Sequence, residues 1–135
     1  MNVTTVARYA YLILAWLFVA LLVVQVFLAG LGIFAGAQNF AAHVDLGWML
    51  HLAPILVLLA AALSRAGRKH WLWALALAAI TFVVPLVVLF RQDTPAVAAL
   101  HPVLAVLAFG LAAMVARNAL LALRGAGAPA PAGQL

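Results

Sequence analysis

Two histidines lie in the apolar stretch HVDLGWMLHLAP, residues 43–54. Imidazoles are costly inside a bilayer, so in an apolar helix they usually face the interior of a bundle and indicate a functional site. At 100° per residue, His43, Gly47 and His51 lie at about 0°, 40° and 80°, on one face of a helix. The glycine leaves space for a flat ligand against the backbone. This face is the first candidate for chemistry, and it needs a partner on another helix.

His101 is the candidate partner. It lies about five residues into the last apolar run, and His43 lies about four residues into the second, so their depths agree within about 1.5 Å if the two helices run in the same direction. Ala105 follows on the face of His101 and continues a strip of small side chains. Two neutral imidazoles on opposite sides of a thin slot are the ligands that a b-type haem requires, and bundle cores supply such sites.

Several interpretations of these histidines stay open from the residues alone. The first is haem b with His43 and His101 as iron ligands. The second is a pair of interfacial histidines bonded to loop carbonyls or water, and the third is a metal or proton site. A non-haem metal ion is disfavoured, because only two histidines converge and Asp45 points about 160° away from Gly47.

His51 lies about 12 Å deeper than His43. It is a candidate to contact the haem edge, to accept a proton, or to replace His43 as ligand. The alternative is a hydrogen bond to a carbonyl of another helix or to Gln25. His70 lies among basic residues and is expected to be an ordinary interfacial side chain.

The first apolar run has a face of its own. Gln25, Ala29 and Gly32 lie at about 0°, 40° and −20°, a strip of small residues with a single amide. Small side chains let helices approach closely, so this strip indicates either plain helix packing or space for a ligand. We include Gln25 and Gly32 among the expected cofactor-binding residues.

Composition decides the class of protein. Of 135 residues, 70% are hydrophobic and 7% charged, and the mean hydropathy is +1.28, which is typical of an integral membrane protein. The pI of about 11.4 does not indicate nucleic-acid binding, because the basic residues form no basic face. The absence of cysteine excludes thiolate metal sites and covalent c-type haem.

The apolar runs predict an all-α, four-helix membrane bundle over residues 1–124. Each run of at least about 20 residues can cross a ~30 Å hydrocarbon core, and Pro85 is expected to kink the third. The Gly-, Ala- and Pro-rich residues 125–135 predict a disordered tail. The predicted helices cover residues 8–34, 40–64, 71–90 and 96–123.

Orientation follows from the Lys and Arg residues. Six of the seven would lie on one side of the membrane, and Arg91 alone on the other. The positive-inside rule therefore predicts that both termini face the cytoplasm of a multi-pass protein of the bacterial inner membrane.

Three stretches, QVFLAGLGIF, HVDLGW and ALHPVLAVLAF, resemble an uncharacterised bacterial family of small four-helix membrane proteins over most of residues 8–120. More distantly, the layout is similar to one half of haem A synthase. That resemblance implies that His43 and His101 are axial haem ligands. The catalytic half of that family has a glutamate before its first histidine and an arginine directly after it, whereas residues 39–44 have neither. The resemblance thus implies haem binding or electron transfer without haem-oxidising chemistry.

The expected function is therefore the binding of one haem b for electron transfer or haem handling. No catalytic residue is assigned. The expected surroundings are the lipid bilayer, and candidate partners are a quinone, a second copy of the chain or another membrane subunit. The alternative is a cofactor-free protein or accessory subunit that packs through its small-residue faces. A proton-coupled exporter is disfavoured, because no carboxylate lies near the middle of any predicted helix.

Overall fold

The computed structural model describes residues 2–126 and is all-helical over that range. Four stretches of it are long and apolar enough to cross a membrane, which confirms the prediction of an all-α chain with four long apolar helices. We call them spans 1 to 4: Val3–Phe34, Ala37–Leu63, Arg68–Phe90 and Pro95–Gly125. The predicted tail lies outside the described residues from position 127 onward. The helices are α1 (Val3–Phe34), α2 (Phe40–Leu50), α3 (Ala53–Leu63), α4 (Arg68–Leu86), α5 (Pro95–Ala98) and α6 (Leu100–Ala126).

The four spans form a closed ring in which each packs against its neighbours in the chain. Span 1 contacts α2 and α3 on one side and α6 on the other, and α4 fills the gap between α3 and α6. Spans 2 and 4 therefore face each other across the diagonal. Large apolar side chains on the outside are exposed, as expected for helices that meet lipid.

Span 2 is broken, whereas the sequence predicted one helix over residues 40–64. The break falls at His51 and Leu52, between α2 and α3. Its cause is Pro54, which has no N–H to donate and whose ring collides with the carbonyl four residues earlier. At the break, backbone hydrogen bonds join residues three apart instead of four, from Leu52 N to Met49 O and from Ile55 N to Leu52 O.

Span 3 changes its winding after Pro85. The α-helix ends at Leu86, and Val87–Phe90 continue as a 3-10 helix. The last four carbonyls of an α-helix have no partner of the usual kind, so this transition leaves main-chain acceptors near Pro85.

The packed core fills only one half of the bundle. Its largest buried side chains include Tyr11, Phe18 and Leu77, and alanines of α3 and α6 allow the helices to approach. In this half Arg8 Nε donates to Ser64 O at 3.1 Å, which ties the start of α1 to the end of α3. We call this the basic end, after its cations Arg8, Arg65, Arg68, Lys69, Arg117 and Arg124.

Candidate functional site

His43 and His101 meet at the end of the bundle opposite the basic end. Their ring centroids lie 6.2 Å apart, and the ring planes are inclined by 74°. His43 is in the first half of α2, and His101 is the second residue of α6. The two histidines expected at equal depth are thus brought together across the diagonal of the bundle.

A reciprocal pair of hydrogen bonds fixes His43 to span 1. His43 Nδ1 lies 3.0 Å from the main-chain oxygen of Gln25. In the other direction, the side-chain Nε2 of Gln25 donates to the main-chain oxygen of His43 at 2.7 Å. A carbonyl within a helix has a second lone pair, so each oxygen can accept such a bond in addition to its helical one.

His101 is held in a similar way by span 3. Its Nδ1 lies 2.8 Å from the main-chain oxygen of Val84. Val84 is among the last four residues of α4, where α-helical bonding ends after Pro85. The acceptor is therefore one that the change of winding makes available.

These contacts determine which ring nitrogen carries the proton. A carbonyl oxygen only accepts hydrogen bonds, so Nδ1 of His43 and Nδ1 of His101 must each be the N–H donor. In the neutral imidazole the lone pair then lies on Nε2. Within residues 2–126 the only hydrogen bond of each ring is the one at Nδ1, so neither Nε2 has a partner. A ring whose Nδ1–H is bound to a backbone carbonyl and whose Nε2 is free has the arrangement of a metal-ligating histidine.

Gly47 leaves room for the side chain of Gln25. A Cβ at position 47 would lie 2.9 Å from Gln25 Nε2, closer than side-chain carbons approach. The space that the sequence analysis assigned to a flat ligand is thus used, at this point, by the amide that reaches His43. Gln25 Oε1 is buried without a hydrogen-bond partner in the described part of the chain.

A cavity of about 570 Å³ lies beside the two histidines. It is bounded by all four spans, and most of its wall is aliphatic. Among the residues expected at the site, its lining includes Gln25, His43, Gly47, His101 and Ala105. The remaining lining residues are Leu22, Val23, Val26, Ala29, Leu50, Thr81, Val84, Pro85, Pro102, Val106, Ala108 and Phe109.

Gly32 and His51 lie outside this lining. At Gly32 a Cβ would be 2.5 Å from the ring of Phe40, so this glycine lets the start of α2 pack against α1. His51 Nδ1 lies 3.3 Å from the carbonyl oxygen of Gly47 in its own helix. Its ring is stacked on Trp48, and its Nε2 is buried without a partner among residues 2–126.

Span 3 supplies site residues that were not predicted from the sequence. Thr81, Val84 and Pro85 line the cavity, and Val84 holds His101. Only Pro85 carried a signal, because a proline within an apolar helix releases backbone groups near it. In the described residues there is no group of three or more His, Cys, Asp or Glu side chains that could hold a metal ion.

Comparison with known proteins gives one match. A model described as "Family of unknown function (DUF6220)" matches residues 25–91, which is just under half of the chain. The matched stretch contains Gln25, His43 and Gly47 and ends before His101. No curated protein and no solved structure matches the chain, so the likeness to one half of haem A synthase stays an expectation. The chain is similar, over its central part, to a family whose function is not characterised.

Proposed function

We propose that this protein binds one b-type haem in the cavity between spans 2 and 4, where His43 and His101 would hold its iron, and that it serves electron transfer or haem handling. The observation that carries the proposal is the state of the two imidazoles. Each has its Nδ1–H bound to a backbone carbonyl, each has a free Nε2, and their rings lie 6.2 Å apart.

The dimensions fit this group. Imidazoles that ligate one iron, each with its nitrogen about 2 Å from the metal, have ring centroids roughly 6 Å apart. The cavity of about 570 Å³ is within the volume range of cofactor sites, about 300–1,000 Å³. Its aliphatic wall suits the apolar faces of a porphyrin.

The backbone and the side chains of the cavity have separate roles in this proposal. The main-chain oxygens of Gln25 and Val84 fix the tautomer and the orientation of the two rings, so that each Nε2 is the atom available to iron. Valine, leucine and alanine side chains of the cavity exclude water. When bound, haem would supply one-electron chemistry, and His43 and His101 are the residues that would hold it.

The competing proposal is a cofactor-free protein, and one observation favours it. Both Nδ1 atoms are already hydrogen-bonded, and the two rings contact each other edge to face without any ligand. In that case the histidines fasten spans 1 to 4 together, and the protein acts as an accessory subunit through its small-residue faces.

We further propose that the basic end faces the cytoplasm of a bacterial inner membrane. The six cations at this end support that orientation through the positive-inside rule. The proposed haem would then lie near the outer surface. A membrane quinone, a second copy of the chain or another membrane subunit would be a suitable source or acceptor of its electron.

The test is an absorption spectrum of the full chain, produced with ample haem and purified in detergent, in the oxidised and reduced forms. We expect the sharp α band of low-spin, six-coordinate b-type haem in the reduced protein. A colourless preparation with a folded, helical protein would overturn the haem proposal and leave the cofactor-free one.

A further inference from the structure

The basic end has no carboxylate side chain of its own to balance its charge. The chain contains only two acids, Asp45 and Asp93. Asp45 lies in α2 close to His43, and Asp93 lies in the loop between spans 3 and 4, so both are at the opposite end of the bundle. The negative charges that balance the six cations of the basic end must therefore come largely from groups other than these two carboxylates.

Within this end, a cavity of about 250 Å³ separates the start of α4 from the last part of α6. The wall of the cavity beside the histidines is mostly apolar, whereas this wall is polar and apolar in about equal parts. Lys69 and His70 contribute from α4, and Asn118 contributes from α6, with Leu121 and Ala122 completing the wall.

The polar groups of this cavity lack partners within the protein. His70 Nδ1 is buried without a hydrogen-bond partner in the part of the chain that the structure describes, while its ring contacts the buried Tyr11 edge to face. Neither Lys69 nor Asn118 forms a side-chain hydrogen bond within residues 2–126. A buried polar atom is usually satisfied, so the unpartnered Nδ1 of His70, next to the exposed ammonium of Lys69, indicates a missing ligand.

The start of α4 indicates that this ligand is negatively charged. Its N-cap is Gly67, which offers no side-chain cap, and its first turn contains no acid but the cations Arg68 and Lys69. The positive end of the helix dipole repels cations, and its first N–H groups seek an acceptor. An anion at this position would offset both effects.

We propose that the cavity lined by Lys69, His70 and Asn118 binds the phosphate group of an anionic phospholipid. A lipid is the source that fits the location, because the cavity lies where the apolar part of span 3 begins. Trp71 and Trp73, each 37% exposed, follow directly and have the position of interfacial aromatic residues. Basic cavities between membrane helices bind anionic lipid headgroups in this way. The site is independent of the proposed haem.

The experiment is native mass spectrometry of the full chain in detergent with added phosphatidylglycerol or phosphatidylcholine. The wild type should retain phosphatidylglycerol in preference to phosphatidylcholine, and more weakly as ionic strength rises. Lys69→Gln should lower the association constant for phosphatidylglycerol about fivefold, the usual contribution of one cation near an anionic headgroup. Asn118→Leu should lower it to a similar extent, because it removes a hydrogen-bond donor from the cavity. Arg91→Gln, which removes a cation at the other end, is the matched control and should bind like the wild type.

Three results would overturn the proposal. Equal retention of the two lipids would show that the headgroup charge is not recognised. An equal loss in Arg91→Gln and Lys69→Gln would indicate a diffuse charge effect instead of a site. Displacement of phosphatidylglycerol by an equal concentration of inorganic phosphate would assign the cavity to a soluble anion. Unfolding curves recorded without lipid check that both variants are folded. If Lys69→Gln does not fold, the lipid binding of Asn118→Leu tests the proposal.

Discussion

Gln25 and His43 are joined by two hydrogen bonds that run in opposite directions between spans 1 and 2. The imidazole of His43 donates to the backbone of Gln25, and the amide of Gln25 donates to the backbone of His43, at 3.0 and 2.7 Å. The first bond orients the ring and the second fixes the helix that carries it. The two bonds can therefore be tested separately.

Gln25→Leu removes only the bond from the amide, because the main-chain oxygen that accepts from His43 Nδ1 stays in place. We expect a loss of about 1 kcal/mol in the free energy of unfolding, the usual net value of one such bond. Chemical unfolding in detergent measures it. Gln38→Leu is the control, since the exposed Gln38 makes only a 3.4 Å contact with Ala35 O. An equal effect of the two substitutions would contradict the assigned role of Gln25.

The histidine pair is tested by single substitutions. If His43 and His101 ligate one iron, His43→Ala and His101→Ala should each lose haem or turn it high-spin, and the double variant should bind none specifically. His70→Ala removes a histidine at the basic end and should keep the wild-type spectrum. Haem lost in His51→Ala but retained in His43→Ala would instead assign the ligand to the deeper histidine.

Gly47 and Gly110 make a matched pair for stability. A Cβ at Gly47 would collide with Gln25 Nε2, whereas a Cβ at Gly110 meets nothing within 4 Å. Gly110→Ala should stabilise α6 by up to about 1 kcal/mol through helix propensity. Gly47→Ala should instead destabilise by about 1 kcal/mol, because the flexible amide end of Gln25 must move and lose its bond to His43 O. Combining it with Gln25→Ala should recover much of that loss in unfolding measurements, and no recovery would show that the collision is elsewhere.

Orientation is tested with reporter fusions. A reporter fused at the C-terminus should be active on the cytoplasmic side, and one inserted at Thr94 should be active on the outer side, because Thr94 lies in the loop between spans 3 and 4. Reversed activities would place the histidine pair near the cytoplasmic surface.

Much of the architecture is encoded in the apolar runs, and their lengths alone predicted four spans. The break in span 2 was not predicted, because the apolar run continues through Pro54 and hydrophobicity does not report the N–H that proline lacks. Local backbone chemistry prevailed there over the hydrophobic pattern.

For the candidate site, helix periodicity and depth suggested the pairing of His43 with His101, and the structure brings these rings together. Periodicity could not reveal what holds them. The acceptors are main-chain oxygens, and every residue has one, so the residue types do not show which oxygen accepts the bond. The close contact of the Gln25 amide with Gly47 also depends on the distance between α1 and α2, which residue types do not specify.

This use of main-chain acceptors has a consequence for how the protein can vary. A substitution at Val84 changes a side chain but leaves the oxygen that holds His101. A substitution at Pro85 leaves every side chain of the pair intact but alters the course of the backbone that presents this oxygen. Among related chains, position 84 should therefore drift among aliphatic residues while proline persists at 85, so the residue in contact with the histidine would be the less constrained of the two.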